Sequence, residues 1–147
     1  MGLFTSFDIN ASGLTAQRYR MDVISENIAN SNTTRTEDGT PYRRKVVTFQ
    51  EKTGGVSFAD ALRKAKGTYV GEGVKVTGTY EDYETDLIKA YDPSHPDADE
   101  NGYVYYPNVN IVTEMTDLID ASRSYEANAT AFNASKDIAV KGLEMAN

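Results

Sequence analysis

The sequence predicts an α+β protein: long N- and C-terminal helices forming an antiparallel coiled coil, with a small β-rich domain inserted between them. Three observations lead there. Apolar residues recur at sevens near both ends, which is a helical seam. The middle is rich in β-branched and aromatic residues punctuated by Gly. Only 39% of the 147 residues are hydrophobic, low for a compact globule and suited to elements that each bury one stripe. The expected domains are 1–35, an N-terminal coiled-coil helix; 36–107, a β-rich outer insert; and 108–147, a C-terminal coiled-coil helix.

In the first domain Phe7, Leu14, Met21 and Ile28 stand seven apart, with Ala11 and Ile24 at intervening positions. Gly13 weakens a helix by about 1 kcal/mol against Ala. The helix is therefore expected to have a loose first turn or to begin there, with Ser12 as its cap. Asn, Ser and Thr compete for backbone groups, so the stretch Asn27–Thr34 ends the helix. Asn27 still lies inside the periodic region, where an amide on the seam fixes register.

The insert offers strands at Tyr42–Phe49, Val74–Tyr80, Asp86–Tyr91 and Tyr103–Tyr106. Gly54, Gly55, Gly67, Gly71, Gly73 and Gly78 mark the turns. A short helix is expected at Ser57–Lys66, with Ser57 and Asp60 as a capping box and Gly67 as its stop.

The C-terminal pattern is firmer. Ile111, Leu118, Tyr125, Phe132 and Ala139 form one row of sevens; Met115, Ser122, Ala129, Lys136 and Leu143 form a second, broken at Lys136. Pro107 precedes the helix, and Asn108 or Asn110 can cap it. Glu114 and Asp117 near the start and Lys136 and Lys141 near the end suit the helix dipole. Helices with one narrow stripe are marginal alone. The two are expected to pair with each other, leaving further stripe for neighbouring chains.

Composition excludes several classes. Without Cys there is no disulfide framework, Cys zinc site or thiol nucleophile. One His argues against His-rich metal clusters and most His-dependent triads. No apolar run approaches the roughly 18 residues of a membrane span. Met1–Asn10 lacks the pattern of a cleaved secretory leader. A net charge of −7 makes a poor nucleic-acid binder. That charge is uneven: net +2 over residues 36–72 and −6 over 73–107, which would help identical subunits meet, although an ordinary solvated surface explains it more simply.

Each candidate chemical group has a plain structural role beside the functional one. Asp97, Asp99, Asn101 and Gly102 open like a calcium loop, but Asn108 stands where the closing Glu belongs, so an acidic turn is expected. His95, in a Pro-rich loop, reads as a structural hydrogen-bond partner rather than a ligand. Gly71-Glu-Gly73 precedes a strand and lacks a third Gly, so it is no dinucleotide fingerprint. The matches to a glycosylation sequon at Asn10, Asn32, Asn128 and Asn133 carry no weight without a secretory context. Arg43-Arg44-Lys45 suits an interface salt bridge or solvent exposure better than a phosphate groove. Tyr103, Tyr105 and Tyr106 suit an interface anchor or the joint between insert and helix. No nucleophile–base–orienter set can be assembled.

Taken together, Ser12-Gly13-Leu14-Thr15-Ala16-Gln17-Arg18, Met21-Asp22-Val23-Ile24 and Glu26-Asn27-Ile28-Ala29-Asn30 resemble the N-terminal signature of bacterial flagellar rod, hook and hook-associated axial proteins. Asn32–Thr36, Asp38–Arg43, Tyr91–Pro96, Gly102–Val104 and Pro107–Asn110 are similar to one proximal rod class in particular. Glu114–Ile119 and Ala121–Asn128 complete the likeness, while residues Thr53–Gly71 show no family pattern. The resemblance implies a non-enzymatic protein without cofactor or metal. It implies export through the flagellar type III apparatus without a cleaved leader and helical stacking in the rod that crosses the periplasm. The terminal helices would form the inner coiled-coil layer around the export channel. Partners would be copies of itself and other rod proteins, with the inner-membrane ring and a rod–ring adaptor at the outer surface.

The residues assigned to partner contacts are Leu14, Met21, Ile24, Asn27, Ile28, Asn30, Ile111, Met115, Leu118, Ser122, Arg123, Tyr125, Asn128, Ala129 and Phe132. The alternatives are another rod or hook-type protein and, from a different class, a calcium- or carbohydrate-binding envelope module built on Asp97–Gly102.

Overall fold

A computed structural model describes residues 3–52 and 71–145, together with Phe58, Leu62, Ala65 and Lys66. The order is α1 (Leu3–Ala29), β1 (Lys45–Glu51), β2 (Val74–Glu81), β3 (Ile88–Tyr91), β4 (Tyr103–Tyr106) and α2 (Ile111–Glu144). The expected helix–insert–helix order is therefore present, with α2 about 50 Å long. The helix expected at Ser57–Lys66 falls mostly outside the described residues, as do Gly54, Gly55 and Gly67; Lys66 N–H donates to Leu62 O there.

β1 and β2 make one two-stranded sheet, and β3 and β4 another. Lys52 N–H donates to Gly73 O and Asp82 N–H to Arg44 O, both at 2.8 Å, so β1 and β2 run antiparallel. In the second sheet Ile88 pairs with Tyr106, Lys89 with Tyr105, Ala90 with Val104 and Tyr91 with Tyr103. The period of two puts Lys89, Tyr91, Tyr103 and Tyr105 on one face. There the Lys89 ammonium sits 4.0 Å from the Tyr103 ring centre. On the other face Val104 is wholly buried.

The chain gathers into two compact units. One comprises Met1–Tyr19, Thr48–Thr77 and Ala121–Asn147; the other Arg20–Val47 and Gly78–Asp120. In the first, α1 lies antiparallel to α2: Phe7 meets Phe132 edge-on at 5.0 Å, and the α1 backbone at Gly13 faces Asn128. Ala16 and Ala121 are its buried side chains among the described residues. In the second unit the helices are again antiparallel, with Arg20 bonded to Asp117 and Asn27 to Glu114. Its core is Val23, Ile24, Tyr42, Val104, Pro107 and Val109, with buried polar Asn27, Asn108 and Glu114.

One local expectation is corrected. α1 runs unbroken through Gly13, and Ser12 caps nothing. Its hydroxyl donates to Ile9 O (2.7 Å) and accepts Val74 N–H (3.0 Å), so it ties the helix to β2 from inside. The absence of a side chain at Gly13 matters for packing, because a Cβ there would stand 2.8 Å from Asn128 Oδ1. At Gly73 both conformation and space require glycine: φ is +104°, and a Cβ would collide with the Ser12 hydroxyl.

Candidate assembly interface

The second unit is organised around one buried amide. Asn27 is 1% exposed, and every hydrogen-bonding site on its carboxamide is used. Oδ1 accepts the Tyr42 hydroxyl and Lys45 N–H, both at 2.9 Å. Nδ2 donates to Lys45 O at 2.9 Å and to Glu114 Oε2 at 3.1 Å. One side chain on α1 thereby holds the start of β1 and the first turn of α2. A fully satisfied buried amide of this kind fixes register, because sliding either helix would orphan four groups.

Glu114 is wholly buried yet compensated. Arg44 Nε donates to its Oε1 at 2.6 Å, and the same guanidinium reaches Asp117 at 3.7 Å. Arg20 reaches Asp117 from α1 at 3.3 Å. A buried carboxylate survives only with such partners, and stripping one away typically costs about 3–5 kcal/mol. Around Tyr42, burial pushes the phenol pKa well up, and the Glu26, Glu114 and Glu81 carboxylates push it further, so the hydroxyl stays a donor.

Asn108 extends the network. Its Oδ1 accepts Arg44 N–H at 2.9 Å, and its Nδ2 donates to Asp82 O and Thr85 O. Asn110, not Asn108, caps α2: its Oδ1 accepts Val112 N–H at 3.0 Å and Thr113 N–H at 3.3 Å. Asp82 closes the neighbouring turn. Thr85 N–H and then the Thr85 hydroxyl hold its carboxyl below the usual range.

The helix stripes lie beside the expected rows rather than on them. On α1 the buried positions are Ala16, Val23, Ile24 and Asn27. Leu14, Met21, Ile28 and Asn30 are half-buried, and Ala11 is exposed. On α2 the row Leu118, Tyr125, Phe132 and Ala139 is half-buried as expected, but its first member Ile111 is exposed. The second row is displaced by one residue. Glu114 and Ala121 are buried and Asn128 and Ser135 half-buried, while Met115 is 54% exposed and Arg123 lies outside. Ser122 and Ala129 are half-buried at the margin. The reason is chemical: the true row is polar or small, so an apolar pattern could not show it. Glu114 in particular reads in sequence as an ordinary first-turn acid, and its partner Arg44 lies 70 residues away.

The remaining motifs are occupied locally. Asp99 Oδ1 accepts Asn101 N–H and Tyr103 N–H, both at 2.8 Å, and Gly102 takes φ +78° to close the turn. Asp97 accepts the Thr34 hydroxyl and faces Arg35 at 3.7 Å. His95 Nδ1 accepts Asp97 N–H at 3.1 Å, the structural role expected of it. Arg43 donates to Asp82 O and stacks on Tyr83 at 4.5 Å, Arg44 meets Glu114, and Lys45 pairs with Glu26. The basic triplet is thus spent within the chain on three separate partners. Among the described residues no helix is long and apolar enough to cross a membrane.

Comparison with known proteins agrees with this arrangement. Residues 7–35 match the family described as flagella basal body rod protein, and residues 100–145 match the flagellar basal body rod FlgEFG protein C-terminal family. The chain is similar to the flagellar basal-body rod protein FlgC of Bacillus subtilis, 47% identical over 99% of both chains. It is 47% identical to FlgC of Borreliella burgdorferi over 94% of this chain and 93% of that one. It is 41% identical to FlgC of Salmonella typhimurium, covering 99% and 98%. The shared length, the paired terminal helices and the rod signatures at both ends lead to one conclusion: the chain belongs to the FlgC family of flagellar basal-body rod proteins.

Proposed function

We propose that the chain is a structural, non-enzymatic subunit of the proximal flagellar rod. It stacks helically with copies of itself and other rod proteins to transmit torque and enclose the export channel. The observation that carries this reading is near-complete alignment with FlgC relatives at 47% identity. The helix surface supports it: Ile111, Val112, Met115 and Ile119 on α2 are exposed apolar side chains that need covering. On this reading residues 1–35 and 108–147 form the inner coiled-coil layer, and 36–107 the outer insert. The subunit leaves the cytoplasm through the flagellar export apparatus and works in the periplasm-spanning rod. The inner-membrane ring and a rod–ring adaptor meet its outer surface.

The partner-contact residues proposed are those of the fifteen named above other than Ile24 and Asn27, which are buried within their own chain, Asn27 with all its hydrogen bonds made there. Their test is incorporation. Leu118→Asp or Phe132→Asp, each placing a charge on the half-buried row, should abolish rod assembly while secretion of the subunit continues. Normal swimming by such a mutant would sink the reading. Calorimetry with calcium separates the rival module: micromolar binding at Asp97–Gly102 would favour it, and no heat leaves the rod subunit standing.

A further inference from the structure

The start of α2 carries a groove of about 680 Å³, lined by Asp86, Ile88, Tyr106, Val109, Ile111 and Val112 among others. Ile88 is 53% and Val112 74% exposed, so apolar surface is left open there. The other end of α2 has the converse property. Ile138, Val140, Leu143 and Met145 are all exposed, Met145 at 84%. At about 100° per residue, Ile138 and Met145 fall on one side of the helix and Val140 and Leu143 on the opposite side. A helix end that is apolar on opposite sides belongs inside something.

We infer that the C-terminal end of α2 of one copy, Ile138 to Met145, docks into the groove at the start of α2 of a second copy. This rests on the rod reading and names the contact. Three features select that occupant. Ile138 and Met145 stand seven apart on one side of the helix, the i, i+7 spacing of apolar anchors by which a helix lies in a groove. Asp86 is the charged residue lining the groove, and Lys141 comes in beside the apolar anchors to meet it. Groove and knob lie at different places on the same chain, so the contact is heterologous and leaves both ends open. A rod needs a contact that repeats without closing on itself.

The chain has no Cys, so Val112→Cys with Met145→Cys gives the only thiols of this chain. Both positions are exposed, and far-UV circular dichroism of the purified variant checks that the fold is retained. The variant replaces the parent gene in cells. Basal bodies are then isolated and treated with a short bis-maleimide. The docking predicts covalent dimers and longer ladders of this chain, at least tenfold above a control pair of Val112→Cys with Thr130→Cys. Dimers from Val112→Cys alone would show a symmetric contact and overturn the proposal. Crosslinks solely to a different protein would overturn the choice of occupant. A chain present in basal bodies but giving no crosslink overturns the docking alone. A chain absent from basal bodies, parent included, overturns the rod reading with it.

Discussion

Replacing Asn27 by Ala removes four hydrogen bonds at one point. Lys45 N–H, Lys45 O and the Tyr42 hydroxyl lose their partners, each previously 2.9 Å away, and Glu114 Oε2 loses a donor at 3.1 Å. A buried neutral group left unsatisfied costs about 1–3 kcal/mol. Truncation also opens room for a water, which can re-satisfy two or three of these groups and recover part of the loss. The expected destabilisation is about 2–4 kcal/mol. With a urea slope of about 2 kcal/mol/M, the unfolding midpoint of the purified chain should fall by about 1–2 M. Asn27→Asp sharpens the test. It keeps the acceptor for Tyr42 and Lys45 but sets a carboxylate against Glu114 and Lys45 O. It should be less stable than Asn27→Ala at pH 7 and should recover as pH falls, because one proton shared between two adjacent carboxylates restores the donor. A loss below 1 kcal/mol for Asn27→Ala, or a flat pH response for Asn27→Asp, would refute the view that this amide fixes the unit.

Three further outcomes are expected. Gly13→Ala should destabilise the chain, because the new Cβ meets Asn128 Oδ1 at 2.8 Å while that amide is held by Ser124 O. In an Asn128→Ala background the same change should stabilise by up to about 1 kcal/mol through helix propensity, read by urea unfolding. Gly73→Ala should cost about 2–3 kcal/mol, since φ is +104° and the Ser12 hydroxyl occupies the Cβ position. Tyr42 supplies a pH signature: its folded pKa is raised, so its contribution is intact below pH 10.0 and is lost as pH rises towards the folded value. Tyr42→Phe should therefore show a shallower alkaline decline in stability than the parent, despite a lower value at pH 7.

Much of the fold was legible because periodicity and turn residues are local signals. Tyr103–Tyr106 is the strand that alternation and flanking residues predict, and α2 starts within a few residues of Pro107. Asn27 was legible as well, because an amide that interrupts an apolar seam marks a polar contact that sets register. Glu114 and Arg44 were not. Their meaning lies in a contact across 70 residues, and each alone looks like an ordinary surface charge. The displaced second row of α2 has the same origin. Heptad reading weights large apolar side chains, whereas here Glu114 and the small Ala121 are the buried positions, Asn128 packs against the α1 backbone at Gly13, and Met115 faces out. Ser12 misled in another way, since a hydroxyl next to Gly suits a cap and a mid-helix tether equally well.

In the assembled rod the exposed apolar positions on α2 should be covered by neighbouring chains, while the Asn27–Glu114 network stays within one chain. A side-chain-resolution density map of the assembled basal body tests it directly. The expected map holds this chain in the proximal rod, with Val112, Met115, Ile119 and Ile138 buried against neighbours and Asn27 still bonded to Tyr42, Lys45 and Glu114 of its own chain. Those four side chains facing solvent in the assembled rod, or Asn27 bonded to another subunit, would contradict it.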